Sequence, residues 1–141
     1  MRNTKLDQLI HQMENYLECW KQFNHFINLA RNKKFSAEEE NQFLEVKSVL
    51  IQELELIFSS VEVTSPSKDE VHALIGSAPS LRYLGEMNDG QLRSLENAWH
   101  KIYIGWHSIL GQLKVKQRAE ESKGFFATWF GGYRPFETTS M

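Results

Sequence analysis

The sequence predicts an all-α protein, built as an elongated antiparallel bundle of three long helices plus a broken short-helix segment and an aromatic C-terminal tail. The main observation is that apolar residues recur every three or four positions over long stretches, which is the spacing of one helix face. The second is that five glycines and prolines interrupt the segment 61–90. A chain of 141 residues with 41% hydrophobic residues is long enough for one compact domain. We expect the bundle to occupy residues 1–123 and the tail residues 124–141.

The first long helix is predicted from about Thr4 to Arg31. The cations of the following RNKKF sequence favour a helix C-terminus. The apolar stripe consists of Leu6, Leu9, Ile10, Met13, Tyr16, Leu17, Trp20, Phe23, Ile27 and Ala30.

The second helix is predicted over residues 37–60, and its start has the clearest signal in the chain. Ser36 and Glu39 have the spacing of a capping box, in which each side chain binds the backbone N–H of the other residue. The short connection after the first helix forces an antiparallel hairpin. Apolar residues cover about 240° of the second helix, which is wider than one buried face requires. We therefore expect this helix to need cover on more than one side.

The segment that follows is predicted to contain two short helices before the last long one. One runs from about Lys68 to Ile75, capped by Ser67 with Glu70 three residues on, and the other lies near 81–87. The last long helix is predicted from about residue 91 to 122. Its apolar stripe consists of Leu92, Leu95, Trp99, Ile102, Tyr103, Trp106, Ile109, Leu110 and Leu113.

Composition and charge narrow the classes of function. The single cysteine excludes an internal disulfide, and no stretch is apolar and long enough for a signal peptide or a membrane span, so we expect a cytoplasmic protein. The net charge of −2 is divided as +3 over residues 1–35, −7 over 36–70 and +2 over 71–141. The basic excess of a nucleic-acid-binding protein is missing, and the basic clusters 31–34 and 114–118 are expected to be solvated.

The best polar candidates for chemistry are Glu96, His100 and His107, which border the apolar stripe of the last helix. A metal or proton-transfer site there is one interpretation. A di-iron bundle, however, needs a Glu-x-x-His pair on each of two helices, and the nearest pattern is a single Asp69-x-x-His72. Histidines that bind neighbouring side chains or water are the favoured interpretation. His11, Glu18 and His25 are expected to lie on a solvated face of the first helix.

No catalytic, cofactor-binding or metal-binding residue is assigned. The chain has no G-x-S-x-G elbow and no phosphate-binding glycine loop, and Cys19 has no partner that its sequence position reveals. The sequence therefore predicts no enzyme, no cofactor and no small-molecule ligand.

The tail contains the sequence GFFATWFGGYRPF, in which six of thirteen residues are aromatic. The spacing of Phe125, Phe126, Trp129 and Phe130 predicts a helical turn or two, which ends at Gly131-Gly132. Three roles are open to it. It could pack on the bundle and cover the surplus apolar face of the second helix. It could instead dock aromatic anchors into a partner, or lie on a membrane surface with nearby cations at the lipid phosphates. The sequence alone favours packing on the bundle. The candidate contact residues are Phe125, Phe126, Trp129, Phe130, Tyr133 and Phe136.

These features predict a non-enzymatic helical interaction or scaffold protein that self-associates, whose aromatic segment either covers the bundle or docks a partner. A peripheral membrane-surface module is the first alternative. The second is a small regulator or enzyme that uses the histidines of the last helix.

Overall fold

The computed structural model describes the backbone of residues 4–129 and the side chains of residues 4–123. This part of the chain forms five helices and no strand, so the predicted all-α class is confirmed. The helices are α1 (Thr4–Arg31), α2 (Ala37–Ser60), α3 (Lys68–Gly76), α4 (Leu81–Gly85) and α5 (Asp89–Trp129).

Helix α1 lies at the centre of the bundle and packs against α2, α4 and α5. Both long neighbours run antiparallel to it. The short helices α3 and α4 return along the bundle between α2 and α5. Lys68, at the start of α3, forms an ion pair with Glu55 near the end of α2, and the backbone N–H of Leu81, at the start of α4, donates to the Glu40 carboxylate near the start of α2. The chain therefore runs up, down, up and down, and its third element is split in two.

An aromatic junction joins the three long helices. The Tyr16 hydroxyl on α1 donates a 2.8 Å hydrogen bond to the backbone oxygen of Leu50 on α2. Its ring meets that of Trp106 on α5 edge to face, with centroids 5.4 Å apart, and Phe58 of α2 meets the same indole at 6.1 Å. Burial raises the pKa of the Tyr16 phenol, so it stays neutral and keeps its proton for the bond to Leu50.

Side chains at the helix starts explain the helix boundaries. The two predicted capping boxes, Ser36 with Glu39 and Ser67 with Glu70, are both present. A further reciprocal pair, which was not predicted, lies at the start of α5. The Asn88 side chain accepts a 2.8 Å hydrogen bond from the backbone N–H of Gln91, and the Gln91 side chain accepts a 3.0 Å hydrogen bond from the backbone N–H of Asn88. This pair is the reason that α5 begins at residue 89 and not at 91.

The end of α5 differs from the prediction. The last long helix was expected to end near Ser122, with a separate helical turn or two in the tail, but α5 continues without a break to Trp129. The segment 119–129 contains no proline, and its one glycine, Gly124, costs only about 1 kcal/mol relative to alanine. The predicted boundary between bundle and tail therefore falls inside a helix.

Gly105 is the point where the loop after α2 crosses α5. A Cβ atom built on Gly105 would lie 2.8 Å from Cδ of the buried Pro66, which is too close, whereas one on Gly111 would meet no atom within 4 Å. Alanine is favoured over glycine in a helix by about 1 kcal/mol. We expect Gly111→Ala to raise the free energy of unfolding by up to about 1 kcal/mol.

Gly105→Ala should lower that free energy despite the same gain in helix propensity, because α5 and the Pro66 loop must move apart. Urea unfolding of both variants beside the wild-type protein measures the difference. Equal stabilisation by the two substitutions would show that the crossing is looser than described.

Candidate functional site

The end of α5 extends past the rest of the bundle. Gln117 of α5 donates a 2.7 Å hydrogen bond to Asp7 of α1, and Lys114 pairs with Glu14 at 3.3 Å, so the start of α1 is level with residues near 117. At 1.5 Å per residue, Trp129 lies about 18 Å beyond the level of Asp7. The last buried side chain of α5 in the described part is Leu113. The helix therefore carries the first half of the aromatic sequence away from the core.

Helix α2 keeps two exposed apolar edges, on either side of its buried face. The buried face includes Leu50 and Leu54, which are fully covered. Val49 and Leu56, 39% and 52% exposed, lie on one edge, and Leu44 and Ile51, 44% and 40% exposed, lie on the other. The wide apolar arc predicted for α2 therefore includes two edges that the described residues do not cover.

A groove of about 500 Å³ runs along the Val49 edge, between α1 and α2. Its apolar lining comes from Phe26 and Cys19 of α1 and from Val46 and Val49 of α2. Polar side chains complete it: Gln22, His25, Glu39, Gln42 and Glu45. A groove with an apolar floor and polar rim is the usual form of a site for an aromatic or aliphatic anchor.

The groove and the aromatic sequence differ in charge. Helix α2 contains six glutamates and one lysine, for a net charge of −5. Between Lys123 and Phe136 the sequence has two cations, Lys123 and Arg134, and no carboxylate. The groove and the aromatic sequence therefore both have apolar surface, and their charges are opposite in sign.

The polar candidates on α5 do not converge on one site. The Glu96 carboxylate, half-buried, binds the guanidinium of Arg31 on α1 through two hydrogen bonds, one of them 3.1 Å long. This hydrogen bonding raises the pKa of Arg31. His107 contacts the Tyr103 hydroxyl at 3.2 Å, and His100 lies beside the Trp99 ring; both imidazoles are exposed.

Glu96 therefore connects two helices and is not shared with the histidines. In the part of the chain with described side chains, no three histidine, cysteine or acidic residues are grouped closely enough to hold a metal ion.

The outer face of α1 is solvated, as the sequence predicts. His11, Glu18 and His25 are all exposed. Cys19 is half-buried, and burial, with smaller contributions from the carboxylates of Glu53 and Glu18, raises the pKa of its thiol. A raised pKa lowers the thiolate fraction at neutral pH, so this cysteine is a weak nucleophile.

The basic clusters are partly used within the protein. Arg31 binds Glu96 and approaches Asp89 at 3.8 Å, and Lys114 pairs with Glu14. Lys116 and Arg118 are exposed near the projecting end of α5.

The predicted contact residues of the tail have no described side chains. Phe125, Phe126 and Trp129 belong to the helical backbone of α5, whereas Phe130, Tyr133 and Phe136 lie outside the described residues. None of the helices in the described range has the length and apolarity to cross a bilayer.

Comparison of the chain with known protein families, with curated proteins and with solved structures found no match. Its function is therefore inferred from its own contacts, exposed surfaces and charges.

Proposed function

We propose that this chain is a non-enzymatic interaction protein, in which a helical bundle presents the aromatic segment 125–136 to a protein partner. The observation that carries the proposal is the unbroken course of α5 to Trp129, about 18 Å beyond the level of Asp7. An aromatic helix end held away from its own core has the geometry of a docking peptide, which inserts anchors at helical spacing into a groove.

This geometry changes the preference that the sequence alone gives. Packing of Phe125, Phe126 and Trp129 on their own bundle would require the chain to turn back near Gly124, where α5 continues as a helix. All the buried apolar side chains of the described part lie between Leu6 and Leu113, which supports a core formed by the bundle itself. We therefore favour binding of a partner by the segment over packing of the segment on its own bundle.

The test is an affinity pull-down that compares the full chain with a chain ending at Lys123. We expect both chains to melt at nearly the same temperature, because the described core is complete in each, and only the full chain to retain its partners. A large drop in the melting temperature of the shorter chain, with unchanged binding, would show that the segment covers the bundle.

A full-length variant with Trp129→Ala and Phe130→Ala tests the same point with less disruption. It should lose the partners and keep the melting curve. Flotation with anionic and neutral vesicles separates the membrane alternative, since exposed Lys116 and Arg118 lie near the segment. Binding of the wild-type chain to anionic vesicles, lost in the variant, together with an empty pull-down would replace the protein partner by a membrane surface.

A further inference from the structure

We infer that the groove between α1 and α2 binds the aromatic segment of a second copy of this chain. This inference rests on the proposed function and adds the identity of the partner. It assigns the groove lined by Phe26, Val46 and Val49 as the acceptor and residues 125–136 as the donor.

The segment cannot reach the groove of its own chain. Cys19, the lining residue of α1 nearest to its start, lies twelve residues above Asp7, so it is about 18 Å from that level. Trp129 lies about 18 Å from the same level in the opposite direction, which separates the two by about 36 Å along the bundle. Phe136 is seven residues past Trp129 and can extend only about 25 Å beyond it. An aromatic segment 125–136 that fills this groove must therefore come from another molecule.

The groove suits this segment in chemistry. Phe26 on its α1 side and Val46 and Val49 on its α2 side offer an apolar floor. Glu39 and Glu45 place carboxylates in the same groove, where Arg134 of the segment and Lys123, two residues before it, would meet them. Leu56, 52% exposed, continues the apolar edge along α2 beyond the groove.

Two-fold symmetry would let both copies donate and accept at once. In an antiparallel pair whose two-fold axis lies near the level of Asp7, the projecting end of α5 of each copy runs alongside its partner and reaches the half where the partner's α1 ends and α2 begins. That half contains the groove, which is lined from residues 19–26 of α1 and 39–49 of α2. A closed pair of this kind leaves neither segment unpaired.

The first experiment measures self-association of full-length variants by sedimentation velocity over a range of concentrations. Val49→Glu adds a carboxylate at the groove, and we expect it to weaken the dimer by about tenfold or more. The apolar contact that Val49 would make in the dimer is lost, and the new anion is repelled by the acidic lining of the groove. The matched control is Leu44→Glu, on the opposite exposed edge of the same helix. It should change the dimer constant by less than about twofold. Thermal melts verify that both variants fold.

Mixing gives a test of donor and acceptor roles. The variant with Trp129→Ala and Phe130→Ala keeps its groove, and Val49→Glu keeps its aromatic segment. Each should be monomeric alone at a concentration where the wild-type chain is dimeric, and their mixture should form a heterodimer. A mixture that stays monomeric while the wild-type chain dimerises would overturn the exchange of segments.

The single cysteine allows a direct test of proximity. Cys19 lines the groove, and Gly131→Cys places a second thiol in the segment without removing a ring. Oxidation at mildly alkaline pH, where more of the Cys19 thiol ionises, should yield a disulfide between residue 19 of one copy and residue 131 of another, detected as a dimer on non-reducing gels and identified by mass spectrometry of the linked peptides. Dimers linked only through residue 131 on both sides would contradict the assignment of the groove.

Failure of this inference is distinguishable from failure of the proposed function. A wild-type chain that remains monomeric at all concentrations, but loses pull-down partners when Trp129 and Phe130 are replaced, would overturn the second copy as partner and leave the docking function intact. A double variant that keeps both its partners and its dimer would overturn both.

Discussion

Replacing Leu50 by aspartate should abolish the cooperative fold. Leu50 is fully buried at the middle of α2, and its backbone oxygen accepts the hydrogen bond from the Tyr16 hydroxyl. A carboxylate at this position would lie in an apolar site without a cation, and such burial costs several kcal/mol. This is of the same order as the total stability of a typical domain, about 5–15 kcal/mol. We expect the far-UV circular dichroism of Leu50→Asp to melt without a sharp transition.

The controls for Leu50→Asp are substitutions on an exposed surface and on a second buried position. Leu54→Asp, also fully buried on α2, should have the same effect. His11→Ala and His25→Ala, on the exposed face of α1, should each change the free energy of unfolding by less than about 0.5 kcal/mol. A folded Leu50→Asp variant together with damaged histidine variants would mean that the buried and exposed faces of these helices are assigned wrongly.

Local chemistry made most helix boundaries predictable. The predicted limits of α1 and α2 agree with the structure, because the hydrophobic period defines each helix and Ser36 with Glu39 forms the start of α2. Helix α3 begins where Ser67 and Glu70 predict it. Each capping pair lies within four residues of the boundary it determines, so one sequence is enough to recognise it.

Contacts between distant residues were not predictable. Glu40, in the first turn of α2, accepts hydrogen bonds from the backbone N–H groups of Leu81 and Arg82, and so helps to start α4 from 41 residues away. The approach of Pro66 to Gly105 is another example. Neither pair has a signal in the sequence, since both depend on how the helices pack.

The groove was only half predictable. The wide apolar arc of α2 places Val49 beyond its buried face, which indicates unfinished cover, but nothing in the sequence shows that Cys19 and Phe26 of α1 lie opposite. Glu96 is a case in which the sequence suggested a contact that the structure does not have. Its helical spacing with His100 suggested a shared site, whereas the register of α1 against α5 brings Arg31 to it instead.

The indole of Trp106 is the second site where a large loss of stability is expected. Trp106 is fully buried between Tyr16 and Phe58, so its ring fills the space in which α1, α2 and α5 meet. Trp106→Ala leaves a cavity and should lower the free energy of unfolding by about 3–5 kcal/mol. For a chain of this size, the melting temperature should fall by about 10 °C or more.

Trp106→Phe separates packing from hydrogen bonding. The Trp106 indole N–H has no acceptor among the described residues, so a phenyl ring keeps much of the contact area and loses no hydrogen bond. Trp99, by contrast, donates a 2.8 Å bond from its indole to the backbone oxygen of Trp20. Trp99→Phe should lose about 1 kcal/mol with that bond. If Trp106 acts through packing, Trp106→Phe will retain more than half of the stability that Trp106→Ala loses, as measured by urea unfolding. Equal losses in the two Trp106 variants would mean that a phenyl ring cannot replace the larger indole in the packing of the three helices at this junction.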